Sequence, residues 1–216
     1  MKSGQGKHIS EPARDIPVYG ESEVLVVGGG PAGFAAAVAA ARAGAEVVLV
    51  ERYGCLGGLS TGGLVIWIDR MTDWDGRLVV GGIGKELMEA CDAEGALIGP
   101  PEEQWGSKDS KLAAYWGVRT AGFRGVVCYS PTIDPEILKL ISNDMVRSEK
   151  IHVLFHCWCV APLVTDGKVE GVIFESKEGR FALKADITID CTGDGDIFAN
   201  AGAGFDNDFD SEDAHS

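Results

Sequence analysis

The chain has 216 residues, 45% of them apolar and 24% charged, a globular composition that excludes a disordered tail or linker and suits one domain, or one domain with an insertion. Its 19 basic and 33 acidic residues leave a net charge of −14, a surface that repels phosphate backbones and anionic membranes and argues against nucleic-acid or membrane partners. Thirty glycines stand above the usual frequency of about 7% without any collagen-like period, and they cluster between apolar runs, as backbone contacts to a ligand would require.

Residues 1 to about 20 read as a polar lead-in with Pro12 and Pro17. The opening MKSGQGKHISEPARD has no apolar core of a signal peptide, and no later stretch nears the roughly 20 apolar residues of a membrane span, so a cytoplasmic protein is expected. The six cysteines at 55, 91, 128, 157, 159 and 191 include no C-x-x-C pair. They suggest neither a metal site nor a secreted disulfide framework, and read as thiols, mostly buried.

From Glu23 the character changes. Val24-Leu25-Val26-Val27 is a continuous apolar run closed by glycines, as a strand buried on both faces should be. A helix follows, with Pro31 in its first turn, alanine-rich sequence through Arg42 and Gly44 just past its end. Ala45 to Val50 makes a second buried strand, closed by Glu51. This is one βαβ unit of parallel sheet.

Gly28-Gly29-Gly30-Pro31-Ala32-Gly33 matches G-x-G-x-x-G. Its context gives it weight, because it follows a strand, opens a helix, and is answered about 20 residues on by an acid at the end of the next strand, Glu51. Gly28 permits the tight turn, Gly30 lets the backbone approach a pyrophosphate, and Gly33 allows helix and strand to pack closely. The N–H groups of the turn opened by Pro31 and Ala32, with the positive end of the helix dipole, would hold the diphosphate, and Glu51 would accept hydrogen bonds from ribose hydroxyls. Such a unit serves NAD and FAD alike.

A loop from Arg52 to Gly63 carries five glycines with Ser60 and Thr61 among them. Ile83, Leu87, Met88 and Cys91 share a helical face that Gly95 can end, whereas 99 to 125 mixes Pro, Gly, Lys and Trp without a clear period and is expected to be irregular. Thr132 to Glu149 reads as a helix capped by Asp134 with Pro135 at its first position. Strands are expected at His152 to Val160, Lys168 to Ser176, Arg180 to Lys184 and Asp186 to Asp190, with Asp166-Gly167 and Glu178-Gly179 as hairpin turns. The last strand runs into the turn Cys191-Thr192-Gly193-Asp194-Gly195-Asp196.

Three segments together, GGGPAGFAAAVAAARAGAEVVLVERYGCLGGLSTGG, DPEILKLI and GKVEGVIFESKEGRFALKADITIDCTGDGD, resemble the FAD-dependent oxidoreductases with a glutathione-reductase-like flavin domain. The likeness is nearest to their heterodisulfide-reductase A-subunit-like branch. It implies an α/β fold, a Rossmann-type parallel sheet with a three-stranded β-meander and an irregular insertion. It also implies FAD as cofactor and electron transfer between a small organic substrate and a second acceptor. An NAD-dependent dehydrogenase and a non-catalytic or partner-dependent FAD-binding subunit are the alternatives. The second glycine cluster, Gly57 and Gly58 with Thr61, would lie beneath the flavin side of the diphosphate and the ribityl chain. Arg52 would neighbour the adenosine ribose, the backbone around Cys159 and Val160 would meet the adenine edge, and Gly193 and Asp194 would pass close to the cofactor.

Disulfide reductases of this fold carry a second cysteine five residues after the first, where this chain has Ser60 after Cys55, so no dithiol relay is expected. Cys157 and Cys159 share a strand face, with His156 and Trp158 opposite, and all four read as packing residues. No catalytic acid or base stands out, since His8, His152, His156 and His215 lack any triad-like context. The expected division is a Rossmann segment at 20–69, a substrate or cap insertion at 70–130, the rest of the cofactor domain at 131–205 and an acidic, disordered tail at 206–216. Because the family usually continues further, the chain reads either as part of a split or truncated flavoprotein, with a partner chain carrying the missing substrate and cap region, or as a fragment without activity.

Overall fold

Valine-rich runs flanked by glycine or charge form the centre of the molecule, a computed structural model that describes His8 and residues 10–205. In chain order these are β1 (Val18–Val27), α1 (Pro31–Arg42), β2 (Val47–Val50), α2 (Gly82–Ala93), β3 (Leu97–Ile98), α3 (Ser110–Gly117), β4 (Gly122–Phe123), β5 (Val126–Val127), β6 (Thr132–Ile133), α4 (Pro135–Ser148), β7 (His152–Leu154), β8 (Trp158–Thr165), β9 (Lys168–Ser176), β10 (Gly179–Asp190) and the short α5 (Asp196–Asn200). A six-stranded sheet runs β7-β2-β1-β10-β9-β8. Its first four strands are mutually parallel, and β9 and β8 join antiparallel.

The two faces of the parallel strands are buried by different partners. Val24, Val26, Val47 and Leu49 meet Phe34, Ala37 and Val38 of α1 and Val146 of α4. Leu25, Val27, Val48 and Val50 meet Val172 and Phe174 of β9, Leu183 of β10 and Ile197 of α5. The antiparallel arm therefore folds back over its own sheet. Arg42 at the end of α1 pins the helical layer from outside, through Glu86 of α2 and Glu149 just past α4, each at 2.7 Å.

Four expectations about the elements are corrected. β1 begins at Val18 rather than after a loose lead-in, because its first half pairs with Ala182–Ala185 of β10, a partner remote in sequence. The single strand expected from His152 to Val160 is two strands at opposite sheet edges, broken at Phe155–Cys157 where His156 has φ 57°. The two strands expected from Arg180 to Asp190 are one, pairing with β9 at its start and with β1 along its length. Nothing of turn chemistry separates them. Finally, the stretch read as irregular contains α3, whose first N–H groups, Lys111 and Leu112, donate to Asp109 at 2.9 Å. The acidic segment 206–216 lies outside the described residues.

Other expectations hold. Asp134 caps α4 with Pro135 at the first position, α2 stops before Gly95 at φ 68°, and Asp166 and Gly167 both take positive φ, as the hairpin between β8 and β9 demands.

Candidate functional site

A cleft of about 650 Å³ opens where the parallel strands end, the place where ligands of open α/β sheets bind. One wall is the turn after β1 and the start of α1, a second is the loop after β2, and the third is Cys191 to Asp196 beyond β10. Of the positions expected from the sequence, Gly28, Gly30, Pro31, Ala32, Glu51, Arg52, Gly58, Cys159, Gly193 and Asp194 line it.

The three fingerprint glycines differ in what requires them. A Cβ on Gly28 would lie 2.1 Å from the Cys191 carbonyl oxygen, at a φ of 104° besides, and one on Gly33 would lie 1.7 Å from the Gly28 oxygen. The fold itself demands both. Gly30 has ordinary extended backbone, φ −69° and ψ −174°, and the nearest atom to its Cβ would be Gly58 Cα at 3.9 Å. Nothing in the protein forbids a side chain there. Beyond it the N–H groups of Ala32 and Gly33 have no acceptor among the described residues, since Phe34 N–H is the first to donate back, to Gly30.

Glu51 is only 5% exposed, and its carboxylate locks the two neighbouring loops. Oε2 accepts from Gly29 N–H at 2.5 Å and Oε1 from Tyr53 N–H at 2.7 Å. Each oxygen keeps a further lone pair for a ribose hydroxyl, so the acid both holds the loops and remains an acceptor. The loop-holding role was not foreseen from the sequence, which offered Glu51 only as an acceptor for ribose hydroxyls.

Besides Gly33, which packs α1 against the turn after β1, three of the expected positions stand behind the walls. Thr61 is fully buried and its hydroxyl donates to the Leu56 carbonyl at 2.7 Å, so it braces the loop instead of offering its proton to a phosphate. Gly57, at φ 101°, makes room for that threonine, whose Cγ2 would lie 2.4 Å from an added Cβ. Val160 is the extra residue where the β8 register slips against β9 between Cys159 and Ala161.

Asp190, at the end of β10, organises the third wall. It accepts from Thr192 N–H and hydroxyl at 3.1 and 2.8 Å, and from Ile197 and Phe198 N–H at 3.0 and 3.1 Å. Burial alone would raise its pKa, but these four bonds outweigh burial and hold it below the ordinary aspartate value. This fixes the turn that presents Gly193 and Asp194. Nearby, burial pushes the Cys159 thiol up to about 11 and raises Cys157 and Cys191 as well. At neutral pH these thiols are protonated, and they give the cleft an apolar lining. All six cysteines are free, and no group of three or more metal-ligating side chains occurs among the described residues. Tyr53, on the rim, was not singled out by sequence, and Trp158, read there as a packing residue, is instead 55% exposed beside it: alternation places Trp158 opposite the cysteines but does not show that its face meets a cleft.

Fold and site together define a dinucleotide-binding α/β protein of the Rossmann type. Residues 23–215 match the model of the FAD-dependent oxidoreductases, and the chain belongs to that family. FAD is therefore the cofactor of its family, in preference to the NAD-dependent alternative. The match is to the family as a whole and does not single out the heterodisulfide-reductase A-subunit-like branch. Over 45 residues the chain is 47% identical to a dihydrolipoyl dehydrogenase of Trypanosoma brucei brucei, which is 21% of this chain and 9% of that protein. A geranylgeranyl bacteriochlorophyll reductase-like protein from Thermoplasma acidophilum shares the fold, with a TM-score of 0.56 at 19% identity over 84% of this chain and 42% of that one. The chain thus spans less than half the length of either. No helix among the described residues is long and apolar enough to cross a membrane.

Proposed function

We propose that the cleft holds FAD and that the chain is the flavin-binding portion of an oxidoreductase, moving electrons between a small organic substrate and a second acceptor. Gly30 carries this reading. Its conformation and surroundings admit a side chain, so its being glycine is accounted for by a ligand that must approach the backbone, as a diphosphate does at such a turn. The N–H groups of Ala32 and Gly33, unpartnered among the described residues at the start of α1, support the same reading, with Pro31 and Ala32 on the cleft wall.

In this reading Glu51 takes the ribose hydroxyls and Arg52 neighbours the adenosine. Gly58 and the turn at Gly193 and Asp194 border the ribityl side, with Gly57 and Thr61 bracing the loop beneath. Asp194 suits a sugar hydroxyl better than a phosphate, since its charge repels the latter. The backbone at Cys159 and Val160 lies along the base. The bound flavin supplies the redox chemistry itself, and the protein supplies position and electrostatics. Residues 70–130 form the substrate side. Leu59, which lines the cleft, and Leu64 after it are both exposed at the flavin end, which supports a partner chain or further segment as their cover. Six free thiols agree with a reducing, cytoplasmic setting.

The test is to purify the 216-residue chain, extract its bound nucleotide and titrate any apoprotein. Stoichiometric FAD with the visible absorbance of oxidised flavin is expected. NAD alone, with no binding of added FAD, would overturn the reading. With FAD bound, the isolated chain should reduce dyes and oxygen slowly and unselectively, because water and oxygen reach an uncovered flavin. Substrate-specific turnover on the order of 10 per second would show that its active site is complete.

A further inference from the structure

Within the cleft the Arg52 guanidinium carbon lies 4.9 Å from the Tyr53 ring centre and 5.2 Å from that of Trp158. All three side chains line the cleft beside Glu51. Trp158 is the first residue of β8 and is 55% exposed, although its neighbour Cys157 is buried and Cys159 half-buried. A large indole held on the rim of a cleft by a rigid strand, with only a flexible arginine across its face, is a platform without a permanent partner. The protonated thiols beside it offer no charge and little hydrogen-bonding capacity. This corner therefore suits a flat aromatic group better than a sugar or phosphate.

Resting on the reading that the cleft holds FAD, we propose that Trp158 is the stacking platform for the adenine ring and that Arg52 is its displaceable cover. A base between the indole and the guanidinium needs two ring contacts of about 3.5 Å each, about 7 Å in all, against the 5.2 Å present. Arg52 must therefore move outward by about 2 Å. That movement is easy, because an exposed cation–π contact is weak and the side chain is long. The purine then takes the indole face, and the guanidinium closes over its other side. Glu51, just past the end of β2, sets the ribose close to this corner, so the platform holds the base of the nucleotide end while leaving the flavin end to other residues.

The experiment titrates the full 216-residue chain with ADP and with FAD, following heat release and tryptophan fluorescence, for the unaltered protein and for Trp158→Ala, Trp158→Phe and Arg52→Ala. Trp158→Ala should weaken ADP and FAD alike by about 5-fold to 100-fold, the range spanned by the loss of one base–aromatic stack. Trp158→Phe should stay within about 5-fold of the unaltered affinity while losing the fluorescence quench that ADP produces, a signature that a merely structural tryptophan would not give. Arg52→Ala should cost less than Trp158→Ala. Unchanged ADP affinity in a folded Trp158→Ala protein, checked by its melting curve, overturns the platform and leaves the FAD site standing. A larger loss at Arg52 than at Trp158 overturns it as well. If the unaltered chain binds neither ADP nor FAD, the reading of the cleft fails and takes the platform with it.

Discussion

The βαβ unit and the segment between Ile66 and Pro131 are held together by different means. In the first, β1 and β2 are sandwiched between two apolar layers, and backbone groups approach so closely that at Gly28 and Gly33 no Cβ fits. In the second, small apolar clusters around Met71 and Trp116 are tied by single polar side chains. Ser130 accepts from Trp67 Nε1 and donates to the Ile68 carbonyl, Thr72 accepts from Tyr129 N–H, and Gln104 accepts from Trp116 Nε1. Close packing makes the first region intolerant of added volume. The second has close approaches of its own, at Gly76, Gly106 and Gly122, but with smaller apolar clusters it is in addition vulnerable to lost hydrogen bonds, each of modest size.

The sharpest way to break this comparison is within the βαβ unit. Gly33→Ala should destabilise the chain by about 3 kcal/mol or more, because the overlap at Gly28 cannot relax without parting α1 from β1. Gly30→Val, three residues earlier, should leave the melting temperature near that of the parent, at a cost of about 1 kcal/mol, while FAD affinity falls by about two decades or more. Equal melting losses for both would show that Gly30 is also demanded by the fold.

Glu51→Ala removes the acceptor of Gly29 and Tyr53 together with the ribose contact proposed for it. Titration should show affinity reduced by one to two decades, since charged hydrogen bonds are worth about 1.5 to 3 kcal/mol. Melting should fall too, because both loops lose their lock. A binding loss with unchanged melting would mean that the two N–H bonds contribute little.

Asp190→Asn tests the turn beyond β10. The folded-state pKa of Asp190 is depressed, so its contribution is fully present above the unfolded aspartate value of about 3.9 and is lost as the pH falls through the folded value. Chemical denaturation at neutral pH should find the variant about 1 to 2 kcal/mol less stable, with the gap to the parent closing in acid. A gap that widens in acid would contradict the assignment. The smallest effect is expected from Ser130→Ala, about 1 kcal/mol, with FAD affinity unchanged within about twofold, because Trp67 Nε1 also donates to the Thr120 carbonyl at 3.1 Å.

Legibility followed the same division. Gly28, Pro31, Gly44 and Glu51 announce a strand, a helix start, a helix stop and an acid because each signal is local. The pairing of Val18–Ser22 with β10 was hidden, since its partner lies about 160 residues away and Glu21 and Ser22 break the apolar pattern. His156 was read through as strand because residues on both sides keep a strand composition, and a positive φ at histidine leaves no mark in sequence. Asp109 could have revealed α3 as an N-cap, had the prolines and glycines around it not suggested loop throughout. At the site, glycines and acid were legible as a motif. The four-fold acceptor role of Asp190 and the rim position of Trp158 depend on neighbours that only the folded chain assembles.

The broken strand at His156 has a mechanical meaning. β7 and β8 are opposite edges of one sheet, yet Phe155, His156 and Cys157 suffice to join them. Four steps of chain from Leu154 to Trp158 reach at most about 14 Å, whereas five strand spacings laid flat would need about 24 Å. The sheet must therefore be rolled into a trough whose rims are laced together at the cleft end. The lace is itself fastened to the loop after β2, by His156 N–H to the Tyr53 carbonyl at 3.2 Å and Cys157 N–H to the Glu51 carbonyl at 3.1 Å. A trough laced in this way cannot widen by flattening. The spacing of the walls at the cleft end is therefore set by three residues of chain and two backbone hydrogen bonds, and not by the strands' own pairing alone.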